Sequence, residues 1–243
     1  MKPNELRKKI IELSCETGSS HIAPALSCVE IITTIYNNLI TKEDKFILSK
    51  GHGCLALYAI LLDKGYNPDI SCGHPDIDVN NGIECTTGSL GHGLPVAVGM
   101  ALAKKFRKEG GRVYVVMGDS EFQEGTTWES LLIASHHKLN NLTIIVDRNK
   151  IQALDYIENV VSIGDLRKKI RTFNCDCIDV MNGNSEDSLL KAMSLKGFKP
   201  IVIIAHTTKG KGVSFMENKP EWHARSVDKE QKESACKELE MCK

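Results

Sequence analysis

The segment RVYVVMGDSEFQEG, residues 112–125, joins a continuous apolar run to a carboxylate at the point where the run ends. A short run that is apolar on both faces is typical of a strand buried inside a parallel sheet. We therefore predict a buried strand at residues 112–117, with Asp119 just beyond it. Because open parallel sheets bind ligands beyond the carboxyl ends of their strands, Asp119 marks a candidate binding site.

Similar apolar runs alternate with helical patterns along the rest of the chain. Strands are predicted at residues 45–49, 142–147, 177–180 and 201–206. Helices are predicted at 4–17, from Pro24 to about Leu39, and at 54–65, 94–110, 126–137, 185–195 and from Asp228 onward. This alternation predicts an α/β fold, a doubly wound and mainly parallel sheet with helices on both faces. We expect residues 1–243 to form one domain with a C-terminal tail from about residue 225.

A second polar side chain follows the next predicted strand, at Asn149 in VDRNK. Parallel strands end at one edge, so Asp119 and Asn149 are expected to lie together there, with the carbonyl of Ile151 as a third oxygen. Hard oxygen ligands of this kind suit Mg²⁺, which completes its coordination with waters and phosphate oxygens. A site of this kind would suit a clamp for a metal-bound diphosphate. Asp and Asn are also common turn and N-cap residues after strands, so the spacing alone leaves that alternative open.

The composition excludes several other classes of protein. Hydrophobic residues make up 42% and charged residues 26%, and the formal net charge is zero, so no basic surface for nucleic acid is expected. No apolar run approaches the roughly 20 residues that span a bilayer, and the N-terminus MKPNELRKK lacks a secretory pattern. Nine cysteines without a paired C-x-x-C indicate reduced thiols and a cytoplasmic protein.

Several ordered motifs resemble those of the transketolase family. GDSEFQEG followed by DRNKIQ resembles the thiamine-diphosphate fingerprint, and FILSKGHG, CGHPDIDVNNGIECTTGSLGHG and HTTKGKGVSFMENKPEWH resemble further transketolase segments. The resemblance covers residues from about 12 to about 228. It corresponds to the N-terminal, diphosphate-binding domain alone, as in split members whose first domain is a separate polypeptide.

The resemblance implies a fold, a cofactor and site residues. The fold is the thiamine-diphosphate-binding fold, and the cofactors are thiamine diphosphate and Mg²⁺, or Ca²⁺ or Mn²⁺ in its place. Metal ligands are implied at Asp119, Asn149 and the carbonyl of Ile151. Cofactor contacts are implied at His52, Gly88, Leu90, Gly118, Asp119, Ser120, Asn149 and His223. The residues implied for sugar contacts, proton transfer or a carboxylate network between paired active sites are His21, His74, His223 and Glu124.

The implied reaction moves a two-carbon ketol unit from a ketose, or ketose phosphate, to an aldose. Imidazoles suit the proton transfers that this needs near neutral pH. Ser120 departs from the family pattern, which has glycine after the aspartate, and Ile22 and Ala224 replace a usual proline and glycine.

The remainder of a full-length family member carries the pyrimidine-binding domain. The resemblance therefore implies a partner, the C-terminal transketolase subunit, in a heterotetramer of two copies of each chain. Two alternatives stay open: a component of another thiamine-diphosphate enzyme, similar to deoxyxylulose-phosphate synthase, and a non-catalytic binding or regulatory homologue.

Overall fold

The computed structural model describes residues 1–153 and 155–241. Leu154, Cys242 and Lys243 belong to the predicted domain but lie outside the described residues. One sheet runs through the described part of the chain. Its strands are β1 (Lys45–Leu48), β2 (Val113–Gly118), β3 (Leu142–Arg148), β4 (Asp176–Val180) and β5 (Ile201–His206).

The strands pair in the order β1-β2-β3-β5-β4, and every pairing is parallel. Successive side chains of a strand point to opposite faces. Tyr114 and Val116 accordingly enter one core layer, whereas Val113, Val115 and Met117 enter the other. Both layers are covered by helices. The predicted doubly wound α/β fold is confirmed.

The helices fill the connections between the strands. They are α1 (Pro3–Thr17), α2 (Ile22–Ser27), α3 (Val29–Thr34), α4 (Cys54–Asp63), α5 (Gly93–Arg107), α6 (Gly125–His136), α7 (Ile157–Val160), α8 (Leu166–Thr172), α9 (Glu186–Met193) and α10 (Lys229–Met241). Helices α1–α4, α9 and α10 contribute buried side chains to one core layer, and α5, α6 and α8 to the other.

The predicted helix from Pro24 to about Leu39 is wrong as a single element. Helix α2 begins two residues earlier, at Ile22, because proline is tolerated in the first helical turn. Cys28, with φ −101° and ψ 13°, separates α2 from α3, and a π-helical turn continues from Ile35 to Leu39. At this break the Ser27 hydroxyl is buried. It donates to a carboxylate from the sheet, Asp147, at 2.5 Å, and it lies 2.9 Å from Pro24 O.

The sequence pattern does not predict helices α7 and α8. Helix α8 is short, but it buries Leu166 and Ile170 on one face, and the Asp165 side chain accepts a hydrogen bond from Lys168 N at its start. This N-cap is the signal that sequence inspection could have used. A capping box stands at the start of the predicted C-terminal helix. Gln231 N donates to Asp228 Oδ1 at 2.8 Å, and Asp228 N donates to Gln231 Oε1 at 3.2 Å.

Two further observations bear on the class of protein. Among residues 1–153 and 155–241 no helix combines the length and the apolar character needed to cross a membrane. The eight cysteines that the structure describes are all free thiols.

A buried ion pair ties α1 to α3. Arg7 Nη2 donates to both oxygens of Glu30, at 2.6 and 2.9 Å, and Asn184 Nδ2 donates to Glu30 Oε2 at 3.0 Å. Arg7 is 3% and Glu30 6% exposed. Removing one partner of such a pair leaves an uncompensated charge in the interior.

We expect Glu30→Ala to lower the free energy of unfolding by about 3–5 kcal/mol, because Arg7 would stay buried without its carboxylate. Chemical denaturation measures the change. Glu12→Ala is the control: Glu12 pairs with Lys9 at 3.5 Å on the exposed side of α1, where such pairs contribute about 0–1 kcal/mol. Equal effects of the two substitutions would contradict the structural role of Arg7 and Glu30.

Candidate active site

The loops that follow β1, β2 and β3 meet at one edge of the sheet. Gly118 is paired with Asp147 across β2 and β3, so Asp119 and the loop after β3 are neighbours. Asp119 Oδ2 accepts a hydrogen bond from Lys150 N at 2.7 Å and lies 3.4 Å from Arg148 Nη1. Lys150 has a positive φ of 66°, which is uncommon for a residue other than glycine. The structure thus brings Asp119 against the loop that carries Asn149 and Ile151.

The three predicted metal ligands offer a carboxylate, an amide oxygen and a backbone carbonyl. Asp119 is 1% and Asn149 7% exposed. Asn149 Oδ1 accepts from Ile151 N at 3.1 Å, and Ile151 O accepts from Lys209 Nζ at 2.9 Å. This set of hard oxygens fits Mg²⁺. No group of three His, Cys, Asp or Glu side chains suited to a metal occurs in the described residues, so a cation here would need oxygens from its ligand as well.

Burial governs the charge of Asp119. Loss of solvent raises the pKa of its carboxyl to about 6, against the opposing effects of Arg148 and of the hydrogen bond from Lys150 N. A divalent cation would favour the ionised form of a carboxylate held in this way.

The four histidines singled out from the sequence form one cluster. The ring of His21 lies 5.9 Å from that of His52, 5.9 Å from that of His74 and 5.4 Å from that of His223, measured between centroids. The rings of His52 and His223 are stacked at 5.3 Å. His21 occupies the N-cap position of α2 with a left-handed backbone, φ 71°, a strained conformation of a kind that clusters at functional sites.

The environment keeps three of these imidazoles neutral near pH 7. Burial, together with the nearby cations and imidazoles, lowers the pKa of His52 well below its ordinary value of 6.5. Burial and Lys209 lower the pKa of His223 to about 3, and burial followed by His74 and Lys209 lowers that of His21. Neutral rings can accept a proton as well as donate one.

Lys209 is a site residue that sequence reasoning missed. It is 1% exposed, and its ammonium donates to Ile151 O and to His223 Nδ1, the latter at 2.6 Å. Burial lowers the pKa of Lys209 to about 7, with Lys50 as a further cause. Its position within HTTKGKG, one of the segments that carry the family resemblance, was the available signal. A buried ammonium held by neutral acceptors fits a site that receives an anion.

Glu121, which the sequence pattern does not single out, joins three loops of the site. Its Oε1 accepts from Ser49 Oγ at 2.5 Å and from Gly91 N at 2.9 Å, while its Oε2 accepts from Gly118 N at 2.7 Å. Glu121 is fully buried, and burial raises the pKa of its carboxyl despite these donors. The loops after β1 and β2 and the loop before α5 are therefore held together by a single carboxylate.

The remaining predicted residues surround this centre. A Cβ on Gly88 would lie 3.1 Å from His74 Cδ2, so Gly88 packs closely against one of the clustered histidines. Leu90 is half-buried, and Glu124 is half-buried at the N-cap of α6. Ser120 adopts no positive φ, and its N–H donates to Asp119 Oδ1 at 3.0 Å. Serine therefore occupies this position without left-handed strain.

Residues 14–241 match the family described as "Transketolase, thiamine diphosphate binding domain". The chain belongs to the transketolase family. It is 38% identical to an apulose-4-phosphate transketolase subunit of Phocaeicola vulgatus, over 96% of this chain and 90% of that protein. It is 33% identical to the 6-deoxy-6-sulfo-D-fructose transketolase subunit SqwG of a Clostridium species, over 98% of this chain and 94% of that protein.

Other transketolases are much longer than this chain. Human transketolase is 32% identical over 97% of the chain, which spans only 41% of the human protein. The crystal structure of transketolase from Campylobacter jejuni superposes with a TM-score of 0.86 at 25% identity, covering 98% of this chain and 41% of that one. The predicted relation to the N-terminal, diphosphate-binding part of transketolase is confirmed.

The lowered pKa of His223 predicts a pH dependence of stability. The unfolded imidazole, with a pKa near 6.5, binds a proton before the folded one, so the stability contributed by the neutral ring is lost as the pH falls below that value. In the wild type the free energy of unfolding should fall as the pH is lowered from about 6 to about 4. We expect this fall to be smaller in His223→Asn, by about 1 kcal/mol per pH unit. Denaturation across that range measures the slope. His136→Asn, at the exposed end of α6, should keep the wild-type slope, and an unchanged slope in His223→Asn would contradict the prediction.

Glu121 gives a second test of the site. In Glu121→Gln the new NH₂ group would point at one of the backbone N–H donors, so two donors would face each other without an acceptor. We therefore expect the free energy of unfolding to fall by about 1–3 kcal/mol. Amide hydrogen exchange at Gly91 and Gly118 should accelerate as well. Glu129→Gln, on the exposed face of α6, serves as the matched control. Unchanged exchange at both glycines would show that Glu121 does not hold these loops.

Proposed function

We propose that this chain is the diphosphate- and Mg²⁺-binding subunit of a thiamine-diphosphate-dependent transketolase. It would transfer a two-carbon ketol unit from a ketose or ketose phosphate to an aldose, together with a partner subunit. One observation supports this proposal. Three oxygen ligands, a buried lysine and four histidines lie together at one edge of the sheet, in a chain of the transketolase family.

The proposal gives each part of the site a role. Asp119, Asn149 and Ile151 O would hold Mg²⁺, or Ca²⁺ or Mn²⁺, which would supply positive charge for the diphosphate. Lys209 and His52 lie where they can donate to phosphate oxygens, and Gly118 and Ser120 line the turn after β2. When bound, thiamine diphosphate supplies the carbon nucleophile that attacks the ketose carbonyl.

The histidines are suited to the proton transfers of the reaction. While Lys209 is protonated, it donates to His223 Nδ1, and the ring proton of the neutral imidazole then lies on Nε2. His223 can therefore donate from Nε2 to a sugar oxygen. His21 and His74, whose ring centroids lie 5.9 Å apart, would contact the first hydroxyls of the donor sugar.

The site would be completed by a second polypeptide. Relatives named as transketolase subunits match this chain over at least 90% of their length, whereas human transketolase extends far beyond it. We propose a C-terminal transketolase subunit with the pyrimidine-binding domain as the partner, in a cytoplasmic heterotetramer of two copies of each chain. Gly88 and Leu90 would face the cofactor's pyrimidine side, and Glu124 a carboxylate network between paired sites.

The test uses the tagged full chain, purified from its host with whatever partner it binds. We expect ketol transfer from a panel of ketoses and ketose phosphates to aldoses when thiamine diphosphate and Mg²⁺ are added, and no turnover by the chain alone. Asp119→Ala should abolish turnover without releasing the partner, because one of few protein ligands to the metal is lost.

The control is Asp63→Asn, at the far end of α4, about 15 Å along the helix from its start near the site. It should leave turnover unchanged. Transfer by the chain alone would refute the need for a partner. A complex that binds thiamine diphosphate but condenses pyruvate with an aldehyde would favour a deoxyxylulose-phosphate synthase-like enzyme, and a complex without any turnover would favour a non-catalytic homologue.

A further inference from the structure

A second buried polar cluster lies directly behind the predicted metal ligands. Its centre is the Lys50–Asp147 ion pair, in which Lys50 is 1% and Asp147 0% exposed. Lys50 comes from the loop after β1 and Asp147 from the end of β3. Neither residue is one of the three predicted metal ligands. A buried ion pair that contacts no ligand contributes little to the stability of the fold.

Asp147 is held by donors from several elements. Its Oδ2 accepts from Lys50 Nζ, from Ser27 Oγ at 2.5 Å and from Asn149 Nδ2 at 3.2 Å. Its Oδ1 accepts from Thr207 Oγ1. These donors fix the carboxylate in one orientation, and Lys50 balances its charge, so Asp147 remains an acceptor with no proton to donate.

The Asp147 carboxylate favours one orientation of the Asn149 amide. The NH₂ group of Asn149 faces Asp147 Oδ2, and it also lies 3.5 Å from Ser27 Oγ. The reversed amide would place Oδ1 against a carboxylate oxygen, with no hydrogen between them. Oδ1 is thereby directed away from Asp147, toward the loop in which Ile151 N donates to it and Lys150 N contacts Asp119.

We propose that Asp147 is a positioning residue that fixes the Asn149 amide with its oxygen toward the predicted cation site. Without it the hydrogen bond from Ile151 N would hold the amide oxygen with no charged acceptor on the NH₂ side, and only the oxygen binds a cation. Lys50 has a supporting part, because it also donates to Pro24 O at 2.8 Å and Ser27 Oγ at 3.3 Å and so anchors the carboxylate to α2. The link to a cation rests on the proposed function, whereas the amide orientation does not.

The first measurement uses the metal-free, full-length chain. Side-chain amide signals of Asn149 are assigned by NMR from their loss in Asn149→Asp, and their hydrogen exchange is followed. We expect exchange at least about tenfold slower than for exposed asparagines, because both amide protons lie against buried acceptors. Unprotected Asn149 amide protons in the wild-type chain would overturn the proposal without any variant.

The second measurement compares two neutral replacements of the ion pair. Lys50→Met with Asp147→Leu removes the acceptor without leaving a buried charge, and protection of the Asn149 amide should be lost. Lys50→Met with Asp147→Asn keeps an acceptor oxygen and should retain most of the protection. Equal protection in the two double variants would overturn the proposal, since a purely structural role would not distinguish them.

The third measurement is Mn²⁺ binding in the presence of thiamine diphosphate, followed by electron paramagnetic resonance. The Asp147→Leu double variant should bind Mn²⁺ about 10–100-fold more weakly than the wild type, the range typical for loss of a residue that orients a ligand. The Asp147→Asn double variant should stay closer to the wild type. If the wild-type chain binds no Mn²⁺, the metal-binding role proposed for this subunit is wrong. The exchange measurements would still determine the orientation of Asn149.

Discussion

Carboxylates buried at the end of a parallel sheet are the constraint on which this site depends. Asp119, Glu121 and Asp147 lie at or just beyond the ends of β2 and β3, and each is almost completely removed from solvent. An ionised carboxylate in such a place is tolerated only when donors surround it. The loops that supply those donors are therefore fixed in position. The site is preorganised because each buried carboxylate must accept hydrogen bonds from them.

The charges of the site are arranged to receive an anion. Lys50 is matched by Asp147, but in the described part of the chain no carboxylate lies within ion-pair distance of Lys209. The histidines beside it are disfavoured as cations by burial and by the same lysine. An incoming diphosphate would stabilise the Lys209 ammonium and would change the proton affinity of the neighbouring imidazoles. Under the proposed function, diphosphate binding and proton transfer would be coupled through this one side chain.

The sequence predicted those parts of the molecule that local pattern controls. Continuous apolar runs located all five strands, and the positions just past β2 and β3 indicated Asp119 and Asn149. The family resemblance brought in the four histidines, which the fold then places within one cluster. Glu121 and Asp147 could not be found in this way, because the burial of a charged residue becomes evident only when its neighbours in space are known. Lys209 lies in a segment that carries the resemblance, but its burial, too, is visible only in the structure. The helix break at Cys28 could not be predicted for the same reason, because Ser27 hydrogen-bonds to a carboxylate that is far away in sequence.

The strand order also has a consequence for the growing polypeptide. β5 is the last of the five described strands in sequence, yet it lies between β3 and β4. Until residue 206 has left the ribosome, β3 has an unpaired edge and β4 has no strand to join, so both expose backbone groups that favour wrong pairing. Half of the strand pairings therefore form only after the other four strands have been made, when one later segment joins the two parts of the sheet.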